Sequence, residues 1–232
     1  MTKTFFSLLA AVFLASVTPT HALWPQPRNL QAGSGALQLS NGFDISFAGS
    51  LNSVPSDLRD AVSRTKQFLK NDKLGRLVVD RGQSDKASAQ KAKSLSKLTL
   101  SLEKGATLKS ITDEAQKPIE SRDEAYTLTV PADGSAATIT ANSTLGLFRG
   151  LTTFTQLWYE VDGMTYALDV PISIQDSPAY PYRGFMLDTA RNFFPVSDIK
   201  RTLDAMSLAK INQFHWHVVD SQSFPLQVPW LP

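Results

Sequence analysis

Tyr180-Pro-Tyr-Arg183-Gly-Phe-Met-Leu-Asp188-Thr-Ala-Arg191-Asn-Phe-Phe-Pro195, a helical segment, and then Phe214-His-Trp-His217-Val-Val-Asp220-Ser-Gln-Ser-Phe-Pro225 form the stretch that decides the fold. Residues 184–187 are a short apolar run that stops at Asp188. Beyond Ser197, read as a helix N-cap, Ile199, Leu203, Met206 and Lys210 fall on one helical stripe. Residues 211–219 read as the next strand. Strand, helix and strand within about 30 residues is the pattern of parallel neighbours joined by a right-handed crossover. Polar residues gather where each strand runs out, at 188–192 and again at 220–223. A (β/α)8 TIM barrel begins this way, with chemistry at the carboxyl ends of its strands.

Upstream the periodicity differs. Leu58, Ala61, Val62, Thr65, Phe68 and Leu69 predict a helix with Ser56 as its cap. Residues 37–47 alternate imperfectly around Asn41-Gly42, as two short strands or one interrupted strand. Leu77-Val78-Val79 reads as a short strand, and the Lys/Ser/Ala-rich residues 83–97 read as a loop, although Ala and Lys also allow a frayed helix. Leu98, Leu100 and Leu102 alternate as a half-buried strand does. Residues 125–130 and 136–141 flank the turn Pro131-Ala132-Asp133-Gly134 as a hairpin. A helix over 144–159 and a strand over 167–174 follow, before the proline-rich joint Ser177-Pro178-Ala179-Tyr180-Pro181. The expectation is an α+β N-terminal domain over 23–176, an antiparallel sheet with helices on one face. The first β-α-β portion of the barrel then occupies 177–232.

The chain has no cysteine, which excludes disulfides and thiolate chemistry. With 42% hydrophobic and 19% charged residues it is no disordered chain. A net charge of +2 exerts no general pull on nucleic acid. Residues 64–109 do hold twelve Lys or Arg against four Asp or Glu. They are scattered among Ser and Ala, so a solvated surface is the better reading. At the N-terminus, Lys3 precedes a largely apolar run over 5–17, with Thr20 and Ala22 ahead of Leu23. That is the pattern of a secretory signal peptide over 1–22. The expected product is secreted, with no membrane attachment after cleavage. In that compartment Asn142-Ser143-Thr144, the chain's one Asn-x-Ser/Thr sequon, becomes a glycosylation site.

His215 and His217 share a strand face, but a metal site needs further ligands. The only other histidine is His21, inside the signal peptide, so packed histidines are preferred and neither metal nor cofactor is expected. Asp188 and Asp220 end their strands as a carboxylate pair suited to glycoside hydrolysis, or as loop caps that tie down Arg183 or Arg191. The planar guanidinium of Arg183 can hold two vicinal hydroxyls. Trp158, Trp216 and Trp230 can stack on sugars, although each taken singly is better read as core.

Together, residues 183–195 and 214–225 resemble the opening of the catalytic barrel of glycoside hydrolase family 20, the β-N-acetylhexosaminidases. Leu147-Phe148-Arg149-Gly150-Leu151 resembles a helix of that family's N-terminal domain, and the likeness is to fungal secreted members. It implies an exo-acting enzyme that removes terminal N-acetylglucosamine or N-acetylgalactosamine from chitin oligomers or glycoconjugates. Arg183 matches the family arginine that binds hydroxyls of the terminal sugar. Asp220 matches the acidic residue that organises the site, with Asp188 and His217 in support. Asn192 stands where many members have His, and Ser221 where many have a second Asp. A homodimer of the full-length protein is compatible with the resemblance.

The family mechanism is substrate-assisted and retaining: the acetamido oxygen attacks the anomeric carbon, while an Asp-Glu pair after the fourth barrel strand does the protein's share. No such pair follows Asp220. Asp113-Glu114 and Asp123-Glu124 are adjacent acids of the N-terminal domain and read as surface charges. The expectation is therefore a hexosaminidase truncated after its second barrel strand, or else a non-catalytic carbohydrate-binding fragment. Two strands and one helix cannot close a barrel, so this last third is expected to need docking on the N-terminal domain.

Overall fold

A computed structural model describes residues 23–48, 51, 53–227 and 229. The expected signal peptide and Trp230 lie outside the described residues. In chain order the elements are β1 (Asn29–Ala48), α1 (Ser56–Asn71), α2 (Lys86–Lys91), β2 (Lys93–Leu102), α3 (Ile111–Gln116), β3 (Tyr126–Val130), β4 (Ala137–Ala141) and α4 (Thr144–Thr155). They continue as β5 (Tyr159–Val161), β6 (Met164–Asp176), β7 (Gly184–Asp188), α5 (Val196–Leu208) and β8 (Gln213–His217). Among the described residues no helix is long and apolar enough to cross a membrane.

Six strands form one sheet in the order β1-β2-β4-β3-β6-β5. The sheet is mixed, whereas an antiparallel one was expected: β1–β2 and β2–β4 run parallel. Chain order explains the difference. The hairpin of β3 and β4 enters beside β2 only after an excursion through α3, so β4 lies alongside β2 in the same direction. The period-2 reading holds at the level of side chains. Leu98, Leu100, Leu128, Ile139, Ile172 and Ile174 are fully or almost fully buried, beneath α1 and α4. The opposite face carries hydroxyls, with Ser46 beside Thr99 and Ser101 3.1 Å from Thr140. One oily and one wet face fix the register, because a one-residue slip would exchange them. The interrupted alternation at Asn41-Gly42 is a single strand whose register shifts between Leu39 and Asp44.

Two local expectations change, and the helical alternative within residues 83–97 is the one found. Leu77 and Val79 are 84% and 107% exposed, in a turn closed by Arg81 N–H donating to the Val78 carbonyl at 3.0 Å. Without a neighbouring strand, three strand-forming residues have nothing to pair with. Residues 86–91 are helical, with Ala89 buried and its carbonyl receiving Gln38 Nε2 at 2.8 Å. Prolines replace the expected serines at two helix starts. Pro55 and Pro195 hold extended backbone, with ψ of 149° at each, and their carbonyls accept from Arg59 and Ile199.

Helix α4 is nearly enclosed. Ser143 caps it, with Oγ accepting from Gly146 N–H at 2.9 Å. A methyl on Gly146 would stand 2.3 Å from the Ala125 carbonyl oxygen and 2.9 Å from Ala141 Cβ. Alanine within a helix ordinarily gains up to about 1 kcal/mol over glycine. Here overpacking against backbone reverses the sign at a cost of roughly 1–3 kcal/mol. Gly146→Ala is therefore expected to lower unfolding free energy in urea, while Gly42→Ala, whose methyl would meet only Ser40 Oγ at 3.9 Å, leaves it unchanged.

β7 and β8 make a separate parallel pair, from Gly184↔Gln213 to Asp188↔His217. With α5 they supply the strand-helix-strand unit read from the sequence. As expected, this unit docks on the six-stranded domain, and charged side chains do the joining.

Candidate functional site

The two ends of β7 carry two arginines with different surroundings. Arg183 precedes the strand. Its Nε donates to the Lys210 carbonyl at 2.9 Å, Nη1 to the Tyr180 carbonyl at 2.8 Å, and Nη2 to Glu124 Oε2 at 2.6 Å. The same carboxylate oxygen receives Arg149 Nε, also at 2.6 Å. Nearby, Lys210 Nζ donates to Asp176 Oδ2 at 3.1 Å and to the Tyr126 hydroxyl at 2.9 Å, and Tyr126 itself donates to Asp176 Oδ2. Burial pushes the Lys210 ammonium down and the Tyr126 phenol up. Lys210 holds this position from a left-handed backbone, φ 57°.

These contacts correct the sequence expectation at two points. Glu114 and Glu124 are not surface charges: they are 3% and 4% exposed, and each is ion-paired. Arg183, for which the resemblance implies substrate binding, is engaged within the protein. Its guanidinium is occupied by protein acceptors, and the strand puts it roughly 16 Å from the carboxyl end, at about 3.3 Å per residue. A partly buried arginine facing a buried carboxylate fastens one domain to the other.

At the carboxyl end, Asp188, Arg191, His217 and Asp220 converge. Asp188 Oδ1 accepts from the Ala190 and Arg191 backbone N–H groups at 2.9 and 3.2 Å, the geometry of an Asx turn. Its Oδ2 accepts from Arg191 Nη1, and Arg191 Nη2 reaches Asp220 Oδ2 at 2.6 Å. His217 Nε2 lies 2.9 Å from the same Asp220 oxygen, while Ser221 N–H and Oγ donate to Asp220 Oδ1. Arg191 is thus strung between the two strand ends. It is about half exposed, and three of its five N–H donors meet no acceptor among the described residues. Trp216 is anchored close by, with Nε1 donating to Thr189 Oγ1 at 2.8 Å. Trp158 is core, as read. Asn142 is exposed ahead of α4, while Thr144 of its sequon is buried and bonded to the Lys109 carbonyl.

Electrostatics define what this end can do. Hydrogen bonding from His217, then from Ser221, with Arg191 adding its charge, holds the Asp220 carboxyl down to about 2. The Arg191 hydrogen bond lowers Asp188 as well. A general acid must be protonated near the working pH. Both carboxyls are shifted the opposite way, so neither is suited to supply a proton. Among the described residues no group of three or more potential ligands could hold a metal ion.

Sequence reasoning gave Arg191 only as a partner for Asp188 or Asp220, and it missed Glu124 as a buried residue. The signal for Arg191 was present in its position after the strand, on the side where barrel chemistry is placed.

A parallel strand pair with this carboxyl-end cluster, seated on an α+β domain, has the arrangement of a β/α barrel opening. The family model described as "Glycosyl hydrolase family 20, catalytic domain" matches residues 180–232, and "beta-acetyl hexosaminidase like" matches residues 23–157. The chain belongs to glycoside hydrolase family 20. It is 37% identical over 232 residues to the mouse β-hexosaminidase subunit beta, covering 97% of this chain and 40% of that protein. It is 50% identical over 107 residues to the chitooligosaccharidolytic β-N-acetylglucosaminidase of Ostrinia furnacalis, covering 44% of this chain and 18% of that one. Among solved structures, Flavobacterium johnsoniae chitobiase superposes with a TM-score of 0.62 at 28% identity, over 89% of this chain and 28% of that one. The chain thus spans about two fifths of the length of the curated mammalian relatives it matches.

Two measurements check the division of labour. Glu124→Ala strands the buried Arg149 guanidinium and is expected to cost roughly 3–5 kcal/mol in denaturant unfolding; Arg191→Ala should leave the unfolding midpoint where it is. By carboxyl NMR, Asp220 should titrate near 2 against the ordinary 3.8. A lowered folded-state value means that its contribution to stability is complete above about pH 4 and is lost as pH falls toward 2. Arg191→Ala should move that midpoint upward.

Proposed function

We propose that the full-length protein is an exo-acting β-N-acetylhexosaminidase and that this chain supplies its N-terminal domain and one wall of its sugar site. The observation that carries the reading is Arg191: a half-exposed guanidinium, fixed by Asp188 and Asp220 at the strand ends, with N–H donors to spare. A planar cation held in this way suits two neighbouring hydroxyls of a terminal sugar. Asp220, kept ionised, accepts from a further hydroxyl, and His217 fixes the orientation of Asp220. Arg183 keeps a role in the proposal, but as the residue that sets the angle of the wall.

The chemistry proposed is the substrate-assisted retaining route, with an oxazolinium-type intermediate formed by the substrate's own acetamido oxygen. The downward shift of both carboxyls supports it indirectly, since neither Asp188 nor Asp220 is suited to protonate a leaving group. The proton donor belongs to another part of the barrel, so the isolated chain binds N-acetylglucosamine without turning it over. The name of the Ostrinia relative favours chitin oligomers as substrate. Signal-peptide cleavage after residue 22, secretion and glycosylation at Asn142 complete the proposal; intact mass of the secreted protein before and after amidase treatment tests them.

The central test uses the full-length protein and a chromogenic N-acetylglucosaminide. Removing charged hydrogen bonds to the sugar should make Arg191→Gln lower kcat/KM by roughly 10- to 100-fold, with no change in thermal midpoint. Wild-type kcat/KM in that variant would take Arg191 out of the site.

A further inference from the structure

Between the two domains lies a cavity of about 260 Å³. Four cationic side chains line it, Arg28, Arg149, Arg183 and Lys210, against two carboxylates, Glu124 and Asp176. Both carboxylates are already engaged. Glu124 Oε2 takes the Arg149 and Arg183 guanidiniums, and Asp176 takes Lys210, Tyr126 and the Arg28 backbone N–H. Pairing them off leaves positive charge in excess.

Arg149 shows where that excess is felt. It is 7% exposed and donates through Nε alone; among the described residues no acceptor takes its terminal N–H groups. Burial lowers its pKa, and so do the like charges of Arg183 and Arg122. Its ion pair with Glu124 opposes that shift but engages only Nε, and leaves the terminal N–H groups without an acceptor among the described residues. A guanidinium edge offers paired donors matched to an oxyanion. Water fills roughly 30 Å³ per molecule, so the cavity has room for a tetrahedral anion and several waters. Arg28 lies at the rim, exposed, with Nη2 donating to the Pro178 carbonyl at 3.2 Å.

We infer that this cavity is a binding site for a free inorganic oxyanion, sulfate or phosphate, held by the terminal N–H groups of Arg149 with Arg183, Lys210 and Arg28 around it. Arg149 stands on α4 and Arg183 at the foot of β7, so the anion ties the N-terminal domain to the barrel unit.

The test is thermal unfolding of the purified chain in sulfate, against chloride at equal ionic strength. At about a hundredfold excess over Kd, binding should raise the midpoint by roughly 5 °C. Sulfate also stabilises proteins generally by exclusion from their surfaces, so two variants discriminate. Arg149→Lys keeps a charge beside Glu124 but removes the fork, and Arg28→Gln alters only the rim. Arg149→Lys should abolish the sulfate-specific rise, and Arg28→Gln should reduce it to less than half. Equal rises in wild type and both variants would overturn the inference. Crystals soaked in selenate supply an independent reading: an anomalous peak between Arg149 and Arg183 supports the site, and peaks confined to the outer surface refute it.

Discussion

One carboxylate oxygen, Glu124 Oε2, receives a guanidinium from each of two domains. Taking an isolated carboxylate out of water costs several kcal/mol, and its partners must be placed well to offset that cost. The penalty makes the arrangement selective: Glu124 is tolerable only while Arg149 and Arg183 are both in place. α4 delivers Arg149, the start of β7 delivers Arg183, and the loop ahead of β3 delivers Glu124. Their meeting fixes how the barrel unit sits on the six-stranded sheet. A greasy contact would have allowed sliding; a shared hydrogen-bond acceptor does not.

That fixed seat gives the other end of β7 its meaning. A strand is stiff enough that anchoring Arg183 also aims Asp188 and Arg191. Parallel pairing with β8 brings His217 and Asp220 to the same rim. The cluster there is exposed, screened and worth little to stability, so its bonds serve geometry. A cation flanked by two carboxylates keeps its orientation without a ligand, and a group fixed in advance has a lower ordering cost in any binding it does.

Much of this was legible in the residues. Alternation at Leu98, Leu100 and Leu102, the hairpin around Pro131-Ala132-Asp133-Gly134 and the strand-helix-strand spacing from 184 onward each came from local pattern, which is where side-chain periodicity speaks. Parallel pairing of β1 with β2 was hidden, because periodicity gives faces and not directions. Leu77-Val78-Val79 misled for a related reason: strand propensity reports fit to a sheet, and here no sheet is beside it. Glu124 looked like solvent-facing charge because its partners lie 25 and 59 residues away. The resemblance to family 20 was sound; it implied sugar binding for Arg183, a role that the proposed function gives to Arg191. Two arginines in one short motif are distinguished only by knowing which end of the strand is which.

Lys210 ends α5 in a backbone conformation that glycine would adopt without strain. A side chain there costs local energy, and this one is also stripped of water. What it gains is reach, since its ammonium closes the Asp176 and Tyr126 network while its carbonyl receives Arg183. The stop signal of a helix and the bolt of a domain joint are therefore one residue. The pitch of α5 cannot be retuned without loosening the joint, nor the joint without lengthening or unwinding α5. Evolution or engineering at this corner has to move several residues at once.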